Sequence, residues 1–177
     1  MPGLVPPVIP SAAVDFAKEI REAAKSTLEA DPNTAIDGNQ GVKTIEIWYP
    51  QPNGGLRAFG RNALPSISLR AHLAGATWIA SNNRQFDYDL FVGIVVENAN
   101  TRTGEDDTEQ LREIALVTLL HNITEQTNTW LSSGNPVLSN GSYDPGEVEQ
   151  LEEWPHRFAS ISTIPLRVIY RIAELGS

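Results

Sequence analysis

Cysteine is absent from the 177-residue sequence, which excludes disulfide bonds, thiolate metal sites and a cysteine nucleophile. No apolar run approaches the roughly 20 residues that a membrane-spanning helix needs. The opening stretch, MPGLVPPVIPSAAVDF, lacks the basic segment and the apolar run of a secretory signal peptide. The sequence therefore predicts a protein that is made in a cytoplasm and does not enter a membrane.

Signatures of nucleotide binding and of hydrolysis are also missing. The stretch GGLRAFGRN has glycines and two arginines, but it lacks the Gly-Lys-Ser/Thr step of a phosphate-binding loop. His72, His121 and His156 fall in separate elements without metal-ligand spacing, and there is no nucleophile elbow. Catalytic triads assemble in three dimensions, so the sequence leaves that one class open.

Positive charge is scarce, because 13 lysines and arginines face 22 acidic residues, for a formal net charge of -9. The imbalance is local, since residues 97–153 contain twelve acids and only two arginines, Arg102 and Arg112. An acidic surface repels phosphate, which argues against nucleic-acid binding by phosphate neutralisation. Two interpretations of the acids remain: a solubilising surface, or a surface past which DNA slides without sticking.

The first part of the chain predicts an extended arm followed by a helix. Residues 1–10 hold four prolines and four aliphatic side chains, so they form either an unstructured terminus or an arm that docks on a neighbouring chain. Ser11 is expected to cap an amphipathic helix whose apolar residues recur every four positions from Phe16 to Leu28. The helix should end before the Asp-Pro step at 31–32, because proline disfavours helical geometry at the preceding residue.

Five segments alternate between apolar and polar residues and predict strands, at residues 43–49, 64–71, 76–81, 84–97 and 158–172. The fourth is the longest, and its second face carries Phe91 and Val95, which a sheet face open to water does not favour. We therefore expect another element or another subunit to cover that face. Pro165 removes a ladder donor from the last strand, so that strand should lie at an edge or contain a bulge.

A central helix is predicted from Asp106 or Asp107, whose spacing to later Glu and Gln residues is that of a capping box, to about Gln126. Its apolar residues, Leu116 and Leu119 among them, cover more than the roughly 100° stripe that one core requires. The sequence therefore predicts a helix that is buried on two sides.

A long loop is predicted over residues 127–156, which are rich in turn-forming residues. Within it, Val148, Leu151 and Trp154 would share one face of a short helix. A loop of this length is typical of a functional or mobile segment. Chain length indicates a single domain, residues 11–177, behind the arm.

Acidic residues offer a candidate metal site at Asp87, Asp89, Asp106 and Asp107, because carboxylates that converge on one point bind Mg²⁺. Asp87 and Asp89 share one strand face, but the other two acids have a capping role and lie about 30 Å of strand away. A small metal-dependent enzyme that uses Asp87 and Asp89 is therefore the weaker alternative, and no cofactor is predicted.

Unexplained apolar surface points instead to a subunit interface. The candidate interface residues are Arg57, Phe59, Arg61, Phe91, Val95, Leu116 and Leu119. The first three lie in the turn-rich segment 50–62, where an aromatic residue beside arginines is a common interface anchor. A solvated hairpin tip is the other interpretation of that segment.

The order of these elements resembles the tail terminator (tail completion) proteins of long-tailed bacteriophages. The resemblance runs from about residue 11 to residue 173, through KTIEIWYP, LPSISLRA, ATWIAS, RQFDYDLFVGIVVE, EQLREIALVTLLHNI and ISTIPLRVIYRI. It implies an α+β fold, in which a mainly antiparallel β-sheet is flanked by an N-terminal helix and a central helix, with long loops. It carries over no catalytic residue.

The resemblance also implies a location and partners. Such a protein is part of the virion, in the neck of the tail, and forms a hexameric ring that caps the tail tube. Its partners would be other copies of itself, the tail tube protein and the head-tail connector protein, and DNA would pass through its lumen without specific binding. A head-tail connector, an adaptor or another neck protein is the structural alternative.

Overall fold

The computed structural model of the chain describes residues 15–48, 60–80, 83–125, 130–132 and 136–171. The helices are α1 (Phe16–Ala30) and α2 (Thr101–Glu125), and the strands are β1 (Thr44–Ile47), β2 (Ser66–Ala80), β3 (Asn83–Glu97), β4 (Val137–Leu138), β5 (Val148–Gln150) and β6 (Arg157–Arg171). Side chains of both helices share one apolar core with the sheet. The predicted α+β fold with a mainly antiparallel sheet is confirmed.

The sheet is built around three long strands. Its order is β1-β2-β3-β6-β4, and β5 also pairs with β6. β1 is parallel to β2, and every other pair is antiparallel. β2, β3 and β6 contain 15 residues each, or about 50 Å of strand. β1, β4 and β5 are short and cover only parts of the outer edges.

The segments predicted as separate strands at 64–71 and 76–81 are one strand, β2. Its register against β3 shifts between Leu73 and Gly75, where Ala74 is the extra residue of a β-bulge. β2 continues past Gly75 as one strand, because β3 pairs with it on both sides of the bulge. The prediction of two strands was therefore wrong.

Helix α1 buries the predicted row of residues, Phe16, Ile20, Ala24 and Leu28. Its cap is Asp15, whose side chain accepts a hydrogen bond from the Lys18 backbone N–H at 3.0 Å, and not Ser11. Ser11 and the predicted arm, residues 1–10, lie outside the described residues. The helix ends at Asp31, which is extended, as the following proline predicted.

Helix α2 begins at Thr101, five residues before the predicted start. The side chain of Asn100 accepts a hydrogen bond from the Thr103 backbone N–H at 3.2 Å and so acts as the cap. Asparagine caps a helix as well as aspartate does, and it stands earlier in the chain. Asp106 and Asp107 therefore lie inside the helix, where Asp107 accepts a hydrogen bond from the Asn98 amide at 3.1 Å.

The predicted two-sided burial of α2 is supplied by this chain itself. One side packs into the main core through Leu111, Ala115, Leu116, Leu119 and Ile123. On another side, Arg112 Nη1 donates a hydrogen bond to the Gly146 carbonyl at 2.9 Å. Most of the wide apolar surface of α2 is thus covered by this chain itself, and Val117, which is 65% exposed, is the exception.

The segment that follows α2 is attached to the sheet over residues 143–150. Asp144 exchanges backbone hydrogen bonds with Thr163 of β6, and Ser162 Oγ donates to the Pro145 carbonyl at 2.7 Å. Gly146 has a φ of +70°, and a Cβ there would lie 2.1 Å from the Ile161 carbonyl oxygen, so only glycine fits. The predicted long loop is therefore held against β6 in this part.

No helix forms at residues 148–154, where the sequence predicted a short one. Val148 lies in β5, and Leu151 and Trp154 belong to the turn that joins β5 to β6. Pairing with the outer edge of β6 gives this segment a hydrogen-bonding partner that an isolated short helix would lack.

Pro165 lies where the outer edge of β6 has a gap. Thr163, two residues earlier, directs its N–H outward to Asp144, so position 165 would direct its N–H to the same side. Strand β4 pairs only from Leu166 onward. The missing donor therefore interrupts no described ladder. β6 itself lies between β3 and β4 and not at an edge of the sheet, so the prediction holds only locally, at position 165.

We expect Gly104→Ala to destabilise the fold. Alanine normally favours a helix by about 1 kcal/mol over glycine, but a Cβ at position 104 would lie 2.3 Å from the Phe158 ring. Overpacking of this kind costs about 1–3 kcal/mol, so the net effect is a lower urea midpoint. Gly60→Ala is the control, because among the described residues no atom beyond its immediate chain neighbours lies within 4 Å of its Cβ position. A Gly104→Ala variant as stable as the parent would contradict this close packing.

Candidate functional site

The face of the sheet turned away from the two helices is the main candidate surface, and it is called the open face below. On the helix side, β3 buries Leu90, Val92 and Ile94 completely. The alternate residues of β3 therefore point to the open face, namely Gln85, Asp87, Asp89, Phe91, Gly93, Val95 and Glu97.

One end of the open face is covered by the chain itself. Val95 packs there with Leu64 and Ala159 in a second, small apolar cluster, and Ala63 and Leu151 flank it. Their contacts explain why Val95 is buried on a face that the helices do not reach. The expectation that this face is covered is thus correct for one end only.

Farther along β3, the open face exposes apolar side chains. Phe91 is half-buried, and the exposed fractions of Ile161, Val137 and Ile169 are 41%, 46% and 57%. Register places all four on the same face, because Ile161 lies opposite Gly93, Ile169 opposite Gln85 and Val137 opposite Arg167. Several exposed apolar residues on one face are typical of a surface that another protein contacts.

The carboxylate of Asp87 is already engaged on this face. Arg167 Nε lies 3.3 Å from Asp87 Oδ1, and Gln85 Nε2 lies 3.1 Å from both carboxylate oxygens. Asp89 lies opposite His72 in the register of β2. Within the described ranges, no group of three or more His, Cys, Asp or Glu residues is arranged to hold a metal ion.

An ion-pair cluster joins the covered end of the open face to the β5–β6 turn. Glu97 accepts from Arg157 Nε at 3.1 Å and from Arg61 Nε at 2.5 Å, and the Arg157 guanidinium lies 4.4 Å from the Trp154 ring centroid. Burial alone would raise the pKa of Glu97, but hydrogen bonds from the two arginines, and their charges, lower it below its ordinary value.

Three of the predicted interface residues are enclosed within one chain. The exposed fractions of Val95, Leu116 and Leu119 are 4%, 2% and 0%, so the expectation that another subunit covers them is wrong. The reason is that the turn segments near Leu64 and Leu151, and the packing around α2, supply the cover.

The other predicted interface residues have mixed outcomes. Phe91 lies on the open face, and Arg61 is 84% exposed at the side chain and pairs with Glu97. Arg57 and Phe59 lie outside the described residues. Ile161 and Ile169 were missed, although they have the same parity along β6 as Arg167, which the sequence places on that face.

The helix side of the molecule has an open cleft beside α2. It is lined by Asp31, Asn33, Glu113, Ile114, Val117, Thr118 and His121. Its apolar floor includes Val117, which is 65% exposed, and its acids lie beside no cysteine or serine nucleophile. No helix in the described parts of the chain is long and apolar enough to cross a membrane.

We expect Glu97→Gln to lower stability at neutral pH by about 1–2 kcal/mol, because a hydrogen bond to a charged group contributes roughly 1.5–3 kcal/mol and solvent screens the pair with the exposed Arg61. Because folding lowers the pKa of Glu97, its contribution is present above the unfolded value and is lost as the pH falls through the folded value. The difference between parent and variant in urea unfolding should therefore shrink below about pH 4. Glu22→Gln, at an exposed pair with Lys18, is the control. A pH-independent difference would contradict the role of charge.

Comparison with known proteins finds matches among solved structures only. No protein-family model matches the sequence, and no curated protein matches it. A chain in a solved structure described as "Virion of native gene transfer agent (GTA) particle" matches with a TM-score of 0.58 and 16% sequence identity. The match covers 90% of this chain and 100% of that chain. At this identity the likeness shows a shared fold, and nearly the whole of this chain takes part in it.

Proposed function

We propose that this protein is a structural component of a phage-like virion. The observation that carries the proposal is the fold likeness over 90% of the chain to a chain of a gene transfer agent virion. A likeness over 90% of the chain concerns the architecture of the domain and not a short shared motif. The proposed location of the protein is therefore the virion, and its proposed role is assembly and not catalysis.

Within the particle, we propose the tail terminator. The order of elements resembles that family, whose members form a hexameric ring at the end of the tail tube. In this role six copies would stop tail-tube polymerisation and join the tube to the head-side connector. The apolar residues of the open face, Phe91, Ile161 and Ile169, supply a surface for such protein contacts.

The acidic surface supports the same role. Glu105, Asp106, Asp107, Glu109 and Glu113 are all exposed along the first turns of α2. Acids repel the phosphates of DNA, so this surface suits either a lumen through which DNA slides or a contact with a basic partner ring. In either case α2 would lie on a surface of the assembled ring that faces the lumen or a partner ring.

A head-tail connector or adaptor is the alternative position in the particle. The matching structure is described only as a virion, so the likeness favours neither position. The two roles differ in their partner, because a terminator binds the tail tube protein, whereas a connector binds the head-side ring. A metal-dependent enzyme using Asp87 and Asp89 has less support, since Arg167 and Gln85 already engage Asp87.

The mass of the assembly tests the proposed function. Light scattering of the purified protein should show six times the 19.4 kDa of one chain, and a larger mass once tail tube protein is added. Negative-stain images should show rings. A ring that caps tail tubes supports the terminator, and a ring that binds only the head-side connector supports the alternative. A persistent monomer that binds manganese tightly would contradict both.

We expect aspartate on the open face to prevent ring assembly. Ile169→Asp changes a side chain that is 57% exposed, so it should leave the monomer folded while burying an unpaired charge in the interface. Phe91→Asp should act in the same direction, with some loss of stability because Phe91 is half-buried. Ring formation is measured by light scattering, and folding by circular dichroism.

The matched control is Ile36→Asp, since Ile36 is 51% exposed on the loop after α1. That variant should assemble like the parent. Normal rings from both open-face variants would show that this face is not an interface.

A further inference from the structure

Among the described residues, no strand pairs with the outer edge of β2 over most of its length. β1 pairs with β2 only from Ser66 to Leu69, and one more backbone hydrogen bond joins Trp48 to Leu69. From Arg70 to Ala80, β2 has β3 on one side and no second strand among the described residues. Alternate residues of this segment therefore direct their backbone N–H and C=O groups away from the sheet.

Beyond Arg70, this segment carries no lysine, arginine, aspartate or glutamate, and most of its described side chains are exposed. His72, Leu73, Ala74, Ala76 and Thr77 are all exposed, and Leu73 and Ile79 are 47% and 51% exposed. The sequence from residue 71 to residue 83, AHLAGATWIASNN, contains no proline, lysine, arginine, aspartate or glutamate. Natural proteins usually protect free edges with charge or proline, and neither is present here.

The opposite edge of the sheet is treated differently. β5 pairs with residues 158–160 of β6, Asp144 bridges Thr163, and β4 pairs with residues 166 and 167. Three short segments of the chain thus cover parts of the outer edge of β6. Within the described ranges, the outer edge of β2 has a longer unpaired stretch than the outer edge of β6. A further strand can therefore pair with β2.

Bulges set the limits of a pairing segment. The β2 ladder is irregular at Ala74 and again between Trp78 and Ala80, and bulges discourage edge pairing locally. Two regular stretches remain, Arg70–Leu73 and Gly75–Trp78. Together they give about 25 Å of edge.

We propose that a second copy of this chain pairs its own β2 with this edge, antiparallel and about a two-fold axis. From residue 71 to residue 80 the edge has no lysine, arginine, aspartate or glutamate, so two copies of this part bring no like charges together. A two-fold axis across the strands makes their pairing antiparallel. The same contact also removes the exposed Leu73 side chains of both copies from water.

The β2 contact goes beyond the proposed ring. An isologous contact joins copies in pairs and cannot close a ring of six, so it would join two rings, or two free copies before assembly. Ring formation and β2 pairing are therefore separate properties, and each can fail without the other.

Single-cysteine variants test the pairing, because the natural chain has no cysteine. We expect at least one of His72→Cys, Leu73→Cys, Ala74→Cys, Ala76→Cys and Thr77→Cys to form a covalent dimer under mild oxidation. The yield should peak at one position, where the strand meets its symmetry mate within disulfide reach. Ala99→Cys, an exposed alanine before α2, is the control and should stay monomeric on a non-reducing gel.

A charge on the edge provides the second arm of the experiment. Ala76→Lys adds a charge to the pairing edge of each copy and should weaken the dimer roughly tenfold, about 1.4 kcal/mol, in sedimentation at several concentrations. Ala99→Lys should not change it.

Two results would overturn the proposal. One is that none of the five cysteine variants forms a dimer. The other is a cross-link that appears only when Ala76→Cys is combined with Ile169→Cys, which would mean that β6 of the second copy takes the edge. If rings form and no β2 cross-link appears, the pairing is contradicted and the proposed function is not. If cross-linked dimers form and rings never do, the proposed function is contradicted and the pairing is not.

Discussion

The three long strands are longer than the helices that cover them, and most of the structure follows from this mismatch. β2, β3 and β6 each span about 50 Å, whereas the 15 residues of α1 and the 25 of α2 give about 22 and 37 Å of helix. Both helices also pack on one face. The other face and the far end of β2 therefore depend on short segments of the chain, or on other molecules, to exclude water.

The short segments cover one end and leave the other open. Leu64 and Leu151 close over Val95, and the Glu97 cluster holds the β5–β6 turn beside them. Toward the other end, Phe91, Ile161 and Ile169 stay partly or largely exposed, and no described strand pairs with the outer edge of β2 beyond Leu69. One end of the open face is therefore covered by the chain itself, and the other end exposes apolar side chains that other copies or partners can contact. This arrangement fits a component of a larger assembly.

Periodicity predicted the elements well where local spacing decided them. The row from Phe16 to Leu28 and the alternation of β3 and β6 became the buried faces that they predict. The start of α2 was misplaced, because asparagine and aspartate cap helices about equally well and the sequence does not rank Asn100 above Asp106. β2 was divided at Gly75, because only pairing with β3 shows that a bulge continues the strand.

The sequence by itself determined the α+β element order, the acidic balance and the absence of thiol chemistry, since each depends on residue type or on neighbours within a few positions. Only the tertiary structure decided which apolar side chains stay exposed to solvent. Val95, Leu116 and Leu119 are covered by segments far away in the chain, whereas Ile169 and Leu73 have the same apolar character but lie where no described segment reaches them. Burial is a property of non-local packing, and the pattern along one strand or helix does not contain it.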